Sequence, residues 1–271
     1  MAVDFTPKAK YGVEDLLEIM RLLRSPEGCP WDREQTHESI RTDFLEETHE
    51  ALEAIDTGDA DGLKEELGDV LLQVVFHSRI EEENGRFDFG DVVDGICRKL
   101  VVRHPHVFGS GRADNAGEVL QNWDAIKRET KGGKTQADLL AGVPRSLPAL
   151  MRAAKVQKRA RRVGFDWPDV SGAMAALDSE TVEFRQAVAA GDTQAMEEEL
   201  GDLLFSAVNV SRFLRVDAEQ ALTRASDKFI RRFALVEKLA ADRDIDLAAS
   251  SLEILDGLWD EAKAMLEKDV P

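Results

Sequence analysis

Leu16, Ile19, Met20 and Leu23 recur at the three- and four-residue steps of a helix, and Leu67, Val70, Leu71, Val74 and Val75 repeat the pattern. The same period continues through most of the chain. It predicts helices over residues 13–24, 36–57, 60–83, 89–103, 116–129, 147–162, 172–190, 193–214, 218–241 and 251–267. No stretch alternates apolar and polar residues for long enough to predict a sheet. Local chemistry marks the breaks. Asn115-Ala-Gly-Glu118 and Asp217-Ala-Glu-Gln220 have the capping-box form that opens a helix. The run TKGGKTQADLLAGVPRSLP is rich in Gly, Pro and polar residues and predicts a boundary. The expected fold is all-α, with domains at 1–130 and 147–271 joined by a linker at 131–146.

The two parts repeat each other. EELGDVLLQVVFHSRI at 65–80 returns as EELGDLLFSAVNVSRF at 198–213, and Gly58-Asp59 returns as Gly191-Asp192 at the same offset. Lys99 and Arg103 correspond to Lys228 and Arg232, Trp123 to Trp259, and Trp31 roughly to Trp167. A period this long exceeds any solenoid unit and reads as duplication of a domain. Gly is the usual residue where a helix ends in left-handed geometry, and Asp is a favoured cap for the next helix. Each Gly-Asp pair therefore predicts a helical hairpin with a tight turn.

Around that turn the acids are mirrored. Glu47 and Glu50 lie 11 and 8 residues before Gly58, while Glu66 and Asp69 lie 8 and 11 after it. Glu180, Glu183, Glu199 and Asp202 stand in the same relation to Gly191. Equal distances along antiparallel helices return to equal height, and i, i+3 residues share a face. Glu50 is thus level with Glu66 and Glu47 with Asp69, so four carboxylates converge, twice. Like charges held together raise each other's pKa, and a hard divalent cation relieves them. An all-carboxylate set points to Mg²⁺, or Mn²⁺, rather than Zn²⁺. Gly68 and Gly201 sit inside predicted helices, where Gly costs roughly 1 kcal/mol against Ala. Their repetition predicts a close approach of a helix, metal or ligand.

Charge narrows the function. The chain of 271 residues carries 35 basic and 53 acidic side chains, a formal net charge of −18. That surface repels nucleic acid and anionic lipid, so neither is an expected partner. In this field the matched pairs Lys99/Arg103 and Lys228/Arg232 are candidate phosphate clamps, and Trp123 and Trp259 are candidate platforms for a flat base. Asn209, two turns beyond Asp202, is a candidate hydrogen-bond partner for a sugar or phosphate, or else a packing amide. There is no phosphate-binding G-x-x-x-x-G-K-[ST] loop and no G-x-G-x-x-G after a strand. Cys29 and Cys97 have neither metal nor disulfide spacing. The first residues have no apolar signal region, and no apolar run reaches membrane-spanning length. The expected location is the cytoplasm.

E-E-x-x-E followed by E-x-x-D on the next helix resembles the MazG family of all-α nucleoside triphosphate pyrophosphohydrolases, in its two-domain bacterial form. CPWD at 29–32, LEETHE at 45–50, EELGD at 65–69, RHPHVF at 103–108, RSLPALMRAAKVQKRARRVGFDW at 145–167 and KFIRRF at 228–233 carry the resemblance. It implies Mg²⁺-dependent hydrolysis of NTPs or dNTPs to monophosphate and pyrophosphate, in a homodimer. It makes Glu47, Glu50, Glu66 and Asp69 metal ligands in one part, and Glu180, Glu183, Glu199 and Asp202 in the other. Lys228, Arg232 and Trp259 match its nucleotide-contacting positions. Glu46, Glu47 and Glu180 are the catalytic candidates, but the leading Glu46 of the motif is Ser179 in the second part. Two other readings stay open. A di-iron bundle needs a Glu-x-x-His pair on two helices, and only Glu46–His49 supplies one. A non-catalytic, metal-dependent nucleotide sensor or interaction scaffold would keep the same acids.

Overall fold

The computed structural model describes residues 4–112, 115, 117–119 and 135–268. The chain divides into two compact units, Met1–Gly132 and Gly133–Pro271. Among the described residues every regular element is a helix.

Unit 1 contains α1 (Val13–Leu23), α2 (Pro30–Glu34), α3 (Arg41–Thr57), α4 (Ala60–Glu83), α5 (Phe89–Arg103) and α6 (Pro105–Phe108). α1, α3 and α5 all pack on α4. Met20, Ile40, Val75, Phe76 and Ile80 form the core, with Leu16, Leu17, Leu72 and Phe89 against it. Each such side chain stabilises by about 1.5–3 kcal/mol when fully buried. α3 offers only Ala51 and Ala54 as buried residues, and their small size lets it close on α4. α3 begins later than its periodicity predicts. Ser39 Oγ accepts from the Thr36 N–H (2.9 Å) and Thr36 Oγ1 from the Ser39 N–H (3.3 Å), so side chains hold these residues in a turn. Arg24 pins the following loop. Its guanidinium pairs with Glu83 (2.8 Å), donates to the Asp32 and Gln35 carbonyls and lies 5.3 Å from the Phe76 ring centroid.

A second polar cluster joins α4 to this loop. His37 lies between His77 (Nδ1 to Nδ1, 2.7 Å) and the buried Glu81, whose other oxygen pairs with Arg86 (2.6 Å). Burial first, and the neighbouring His37 second, hold the His77 imidazole below its ordinary range. The unfolded chain therefore takes up a proton that the folded chain resists. Stability is intact above the ordinary histidine range and declines as pH falls below about 6.5. His77→Phe should flatten that decline between pH 7.5 and 5.5 in thermal denaturation. An unchanged slope would remove His77 from the account.

Unit 2 contains α7 (Gln136–Ala141), α8 (Ala149–Arg161), α9 (Val170–Ala190), α10 (Thr193–Phe213), α11 (Ala218–Asp242), a 3-10 turn (Leu247–Ala249) and α12 (Leu252–Lys268). α8 and α9 pack on α10, and α11 packs on α8 and α12. Val236, Ala240, Leu258 and Ala262 make the α11–α12 core. α9 starts two residues ahead of its periodicity because Asp169 accepts from the Ser171 N–H at 2.8 Å. α7 falls inside the Gly- and Pro-containing run, capped by Thr135 and held to α8 where Arg159 donates to the Leu139 carbonyl. Asp217 caps α11 through the Gln220 N–H (3.0 Å). The helix expected over 116–129 lies outside the described residues beyond its first turn, where Asn115 Oδ1 accepts from the Glu118 N–H at 3.1 Å.

Both α3–α4 and α9–α10 keep large apolar side chains exposed, among them Leu45, Ile55 and Leu67 in unit 1 and Val182, Leu200 and Leu204 in unit 2. No described helix is long and apolar enough to cross a membrane.

Candidate metal centres

Gly58 (φ 71°) and Gly191 (φ 69°) end α3 and α9 in left-handed geometry, where a side chain would be strained. The N–H of Asp59 reaches back to the Ala54 carbonyl (2.9 Å) and that of Asp192 to Ala187 (3.4 Å). Asp59 then caps α4 through the Asp61 and Gly62 N–H groups, and Asp192 caps α10 through those of Gln194 and Ala195. These turns bring the helices back antiparallel.

The acids meet across each hairpin. Glu47, Glu66 and Asp69 each place an oxygen within 4.8 Å of the others, and so do Glu180, Glu199 and Asp202. Burial, then the charge of Asp69 and Glu50, pushes the Glu47 carboxyl above its ordinary range. Burial, then Glu50 and Glu47, does the same to Glu66. In unit 2 the carboxyls of Glu180 and Glu199 are likewise raised, by burial and then by Glu183 and Asp202. The charge nearest in effect to Glu47 is Asp69, and to Glu66 it is Glu50, as equal heights along the hairpin require.

Glu50 and Glu183 act on the groups through charge without joining the three-oxygen sets. Glu183 has a physical reason for standing aside. Its Oε1 accepts a hydrogen bond from Ser179 Oγ at 3.0 Å. Ser179 occupies the position of Glu46, which in unit 1 is exposed and adds negative charge beside Glu47. Neither set includes a histidine. Among the described residues nothing lies within 4 Å of a Cβ built at Gly68 or Gly201, so no neighbouring helix there makes the close approach expected, and the space beside each glycine is open to a metal or ligand.

The cations and aromatics are placed less uniformly. Lys99 is exposed and Arg103 half-buried, one turn apart on α5. On α11, Lys228 is exposed, while Arg232 lies over the Trp259 ring (5.7 Å to the centroid) with its Nε buried and making no hydrogen bond to the described residues. Trp259 is half-buried and packs on Phe229 at 5.0 Å between centroids. Trp123 lies outside the described residues. His104 of the RHPHVF segment turns its Nδ1 to the Leu100 carbonyl (2.6 Å), closing the last turn of α5. Asn209 shares its carboxamide oxygen with Arg212, which is paired with Asp166. No spacing rule links Asp166 to a helix that begins 27 residues later, so sequence reasoning could not find this partner.

The model of the MazG nucleotide pyrophosphohydrolase domain matches residues 35–108 and again residues 170–236. The chain is 48% identical over 256 residues to the nucleoside triphosphate pyrophosphohydrolase of Escherichia coli K12, covering 93% of this chain and 97% of the relative. It is 46% identical over 250 residues to the Thermotoga maritima nucleoside triphosphate pyrophosphohydrolase/pyrophosphatase MazG, covering 92% and 95%. Both matched regions contain one complete acidic set. With the family domain present twice and such relatives matched almost end to end, the chain belongs to the MazG nucleotide pyrophosphohydrolase family.

Proposed function

We propose that this chain is a Mg²⁺-dependent hydrolase that splits nucleoside triphosphates, ribo or deoxy, into nucleoside monophosphate and pyrophosphate. The observation that carries the reading is the repeated three-carboxylate set facing across each hairpin. Hard oxygen donors alone, with the Glu47 and Glu180 carboxyls pushed toward protonation by burial and then by neighbouring acids, fit Mg²⁺ or Mn²⁺. The names of the relatives support the substrate class. Bound there, the ion supplies charge neutralisation for the phosphates and for in-line attack by water.

The chain's own groups take the remaining roles. Glu47, Glu66 and Asp69, with Glu50 beside them, hold the ion in unit 1. Glu180, Glu199 and Asp202, with Glu183, hold it in unit 2. Glu46 accepts the proton of the attacking water, and unit 2 lacks that acid because Ser179 stands at its position. Lys228 and Arg232 hold phosphate oxygens, and Lys99 and Arg103 are their counterparts. Trp259 offers a ring face to the base. The exposed apolar faces of the two hairpins fit a homodimer, since isolated monomers rarely leave large apolar patches in water. The domains proposed are 1–130 and 147–271, with 131–146 between them. Two cysteines, both free, fit the cytoplasm.

Mixed NTPs and dNTPs incubated with Mg²⁺ should yield monophosphate and pyrophosphate in equal amounts, and chelation should stop the release. Tight binding of nucleotide with no pyrophosphate would replace the enzyme with the sensor reading.

A further inference from the structure

We infer that Asp166 and Arg212 of unit 2 lock the carboxamide of Asn209 so that its amide nitrogen donates to the 3′-hydroxyl of a bound nucleotide. The inference rests on the nucleotide reading above and adds two positioning residues and a sugar determinant to it. Arg212 donates to Asn209 Oδ1 through Nε (3.2 Å) and Nη2 (2.7 Å). Its other edge meets Asp166, with Nη1 donating to Oδ2 at 3.0 Å and Nη2 to Oδ1. The Arg212 and Asp166 side chains are only 13% and 15% exposed, so the fork is well shielded from water. The Phe213 ring 4.4 Å beneath the guanidinium fixes its plane.

Chemistry then dictates which way Asn209 faces. Arginine has donors and no acceptor, so the carboxamide must turn its oxygen to Arg212 and its N–H₂ away. That nitrogen has no partner among the described residues and is not a buried unsatisfied atom, so it is open to a ligand from solvent. Asn209 follows Asp202 by seven residues on α10, which is two turns on the same side and about 10 Å along the axis. With the phosphates held by the ion that Asp202 helps to bind, a donor that far along meets the part of a nucleotide beyond its phosphate chain. The sugar follows there, and the 3′-hydroxyl is the one that ribo- and deoxynucleotides share.

Among its described residues unit 1 has no such device at the corresponding positions. Phe76 takes the place of Asn209, buried under Arg24, and Arg79 takes the place of Arg212 but pairs with Glu82 and Glu83 along its own helix. The donor therefore distinguishes one unit from the other.

The test uses the full chain with unit 1 silenced by Glu66→Gln, assayed on a 2′-deoxynucleoside triphosphate and its 2′,3′-dideoxy analogue. Asn209→Ala should lower kcat/KM about tenfold on the deoxynucleotide, the loss of one hydrogen bond, and leave the dideoxynucleotide unchanged. Arg212→Lys and Asp166→Asn should give smaller losses of the same selectivity, through KM rather than kcat. Equal losses on both substrates would mark the trio as structural and overturn the inference. So would a discrimination that Asn209→Ala leaves intact. Disappearance of all turnover on silencing unit 1 would also end it, while the hydrolase reading survived in unit 1. Absence of turnover in the unaltered chain would strike the hydrolase reading itself.

Discussion

Glu66→Gln and Glu199→Gln introduced together will abolish pyrophosphate release while far-UV circular dichroism stays at the level of the parent chain. Each residue belongs to the three-oxygen set of its unit, so the pair disables both candidate centres at once. Altering groups that only orient metal ligands already costs 10–100-fold in affinity or activity, so losing a ligand in each centre should cost on the order of a hundredfold or more. Helix content should survive because Glu and Gln have nearly equal helix propensity, and neither side chain belongs to a core cluster. The single variants apportion turnover between the units, which differ at Glu46 and Ser179. Full activity in the double variant would remove the carboxylates from the chemistry.

The helical ladder was legible because an amphipathic period and its caps are local properties. α4 and α10 fall where Leu67, Val70 and Leu71 and their repeats place them, and Asp59, Asp192 and Asp217 cap as their positions require. The convergence of acids was legible for a similar reason. Two helices joined by one tight turn have little freedom of register, so sequence distance from Gly58 or Gly191 becomes height. Arrangements that depend on a third element were not legible. Ser39 and Thr36 stop α3 from starting early through reciprocal side-chain bonds that no period reveals. Asp166 reaches Arg212 across 46 residues, and the fork then decides how Asn209 faces. At Gly68 and Gly201 the helical position implies a cost and a close approach, and only the structure shows that no described neighbouring helix makes that approach.

In metal-free protein at neutral pH, Glu66→Gln will raise the melting temperature and shrink the rise that Mg²⁺ produces. Burial and neighbouring charges hold the Glu66 and Glu47 carboxyls above their ordinary range, so each prefers a proton more strongly in the folded chain than in the unfolded one. Such a group favours the folded state while it is protonated and opposes it once ionised. Stability is therefore lost as pH rises through the carboxylate range, and the full penalty applies at pH 7. Glutamine at position 66 removes one charge from the set, so the gain should be present at pH 7 and fade below the carboxylate range. Mg²⁺ acts on the same penalty from the other side. At a hundredfold excess over Kd it should stabilise the parent by about 2.7 kcal/mol, or roughly 10 °C for a unit of this size. Scanning calorimetry of the parent and Glu66→Gln chains, with and without Mg²⁺ at pH 7.5, measures both effects. If the substitution instead lowers the metal-free melting temperature and the Mg²⁺ response is untouched, these acids form a solvated helix face and no shared ion binds between them.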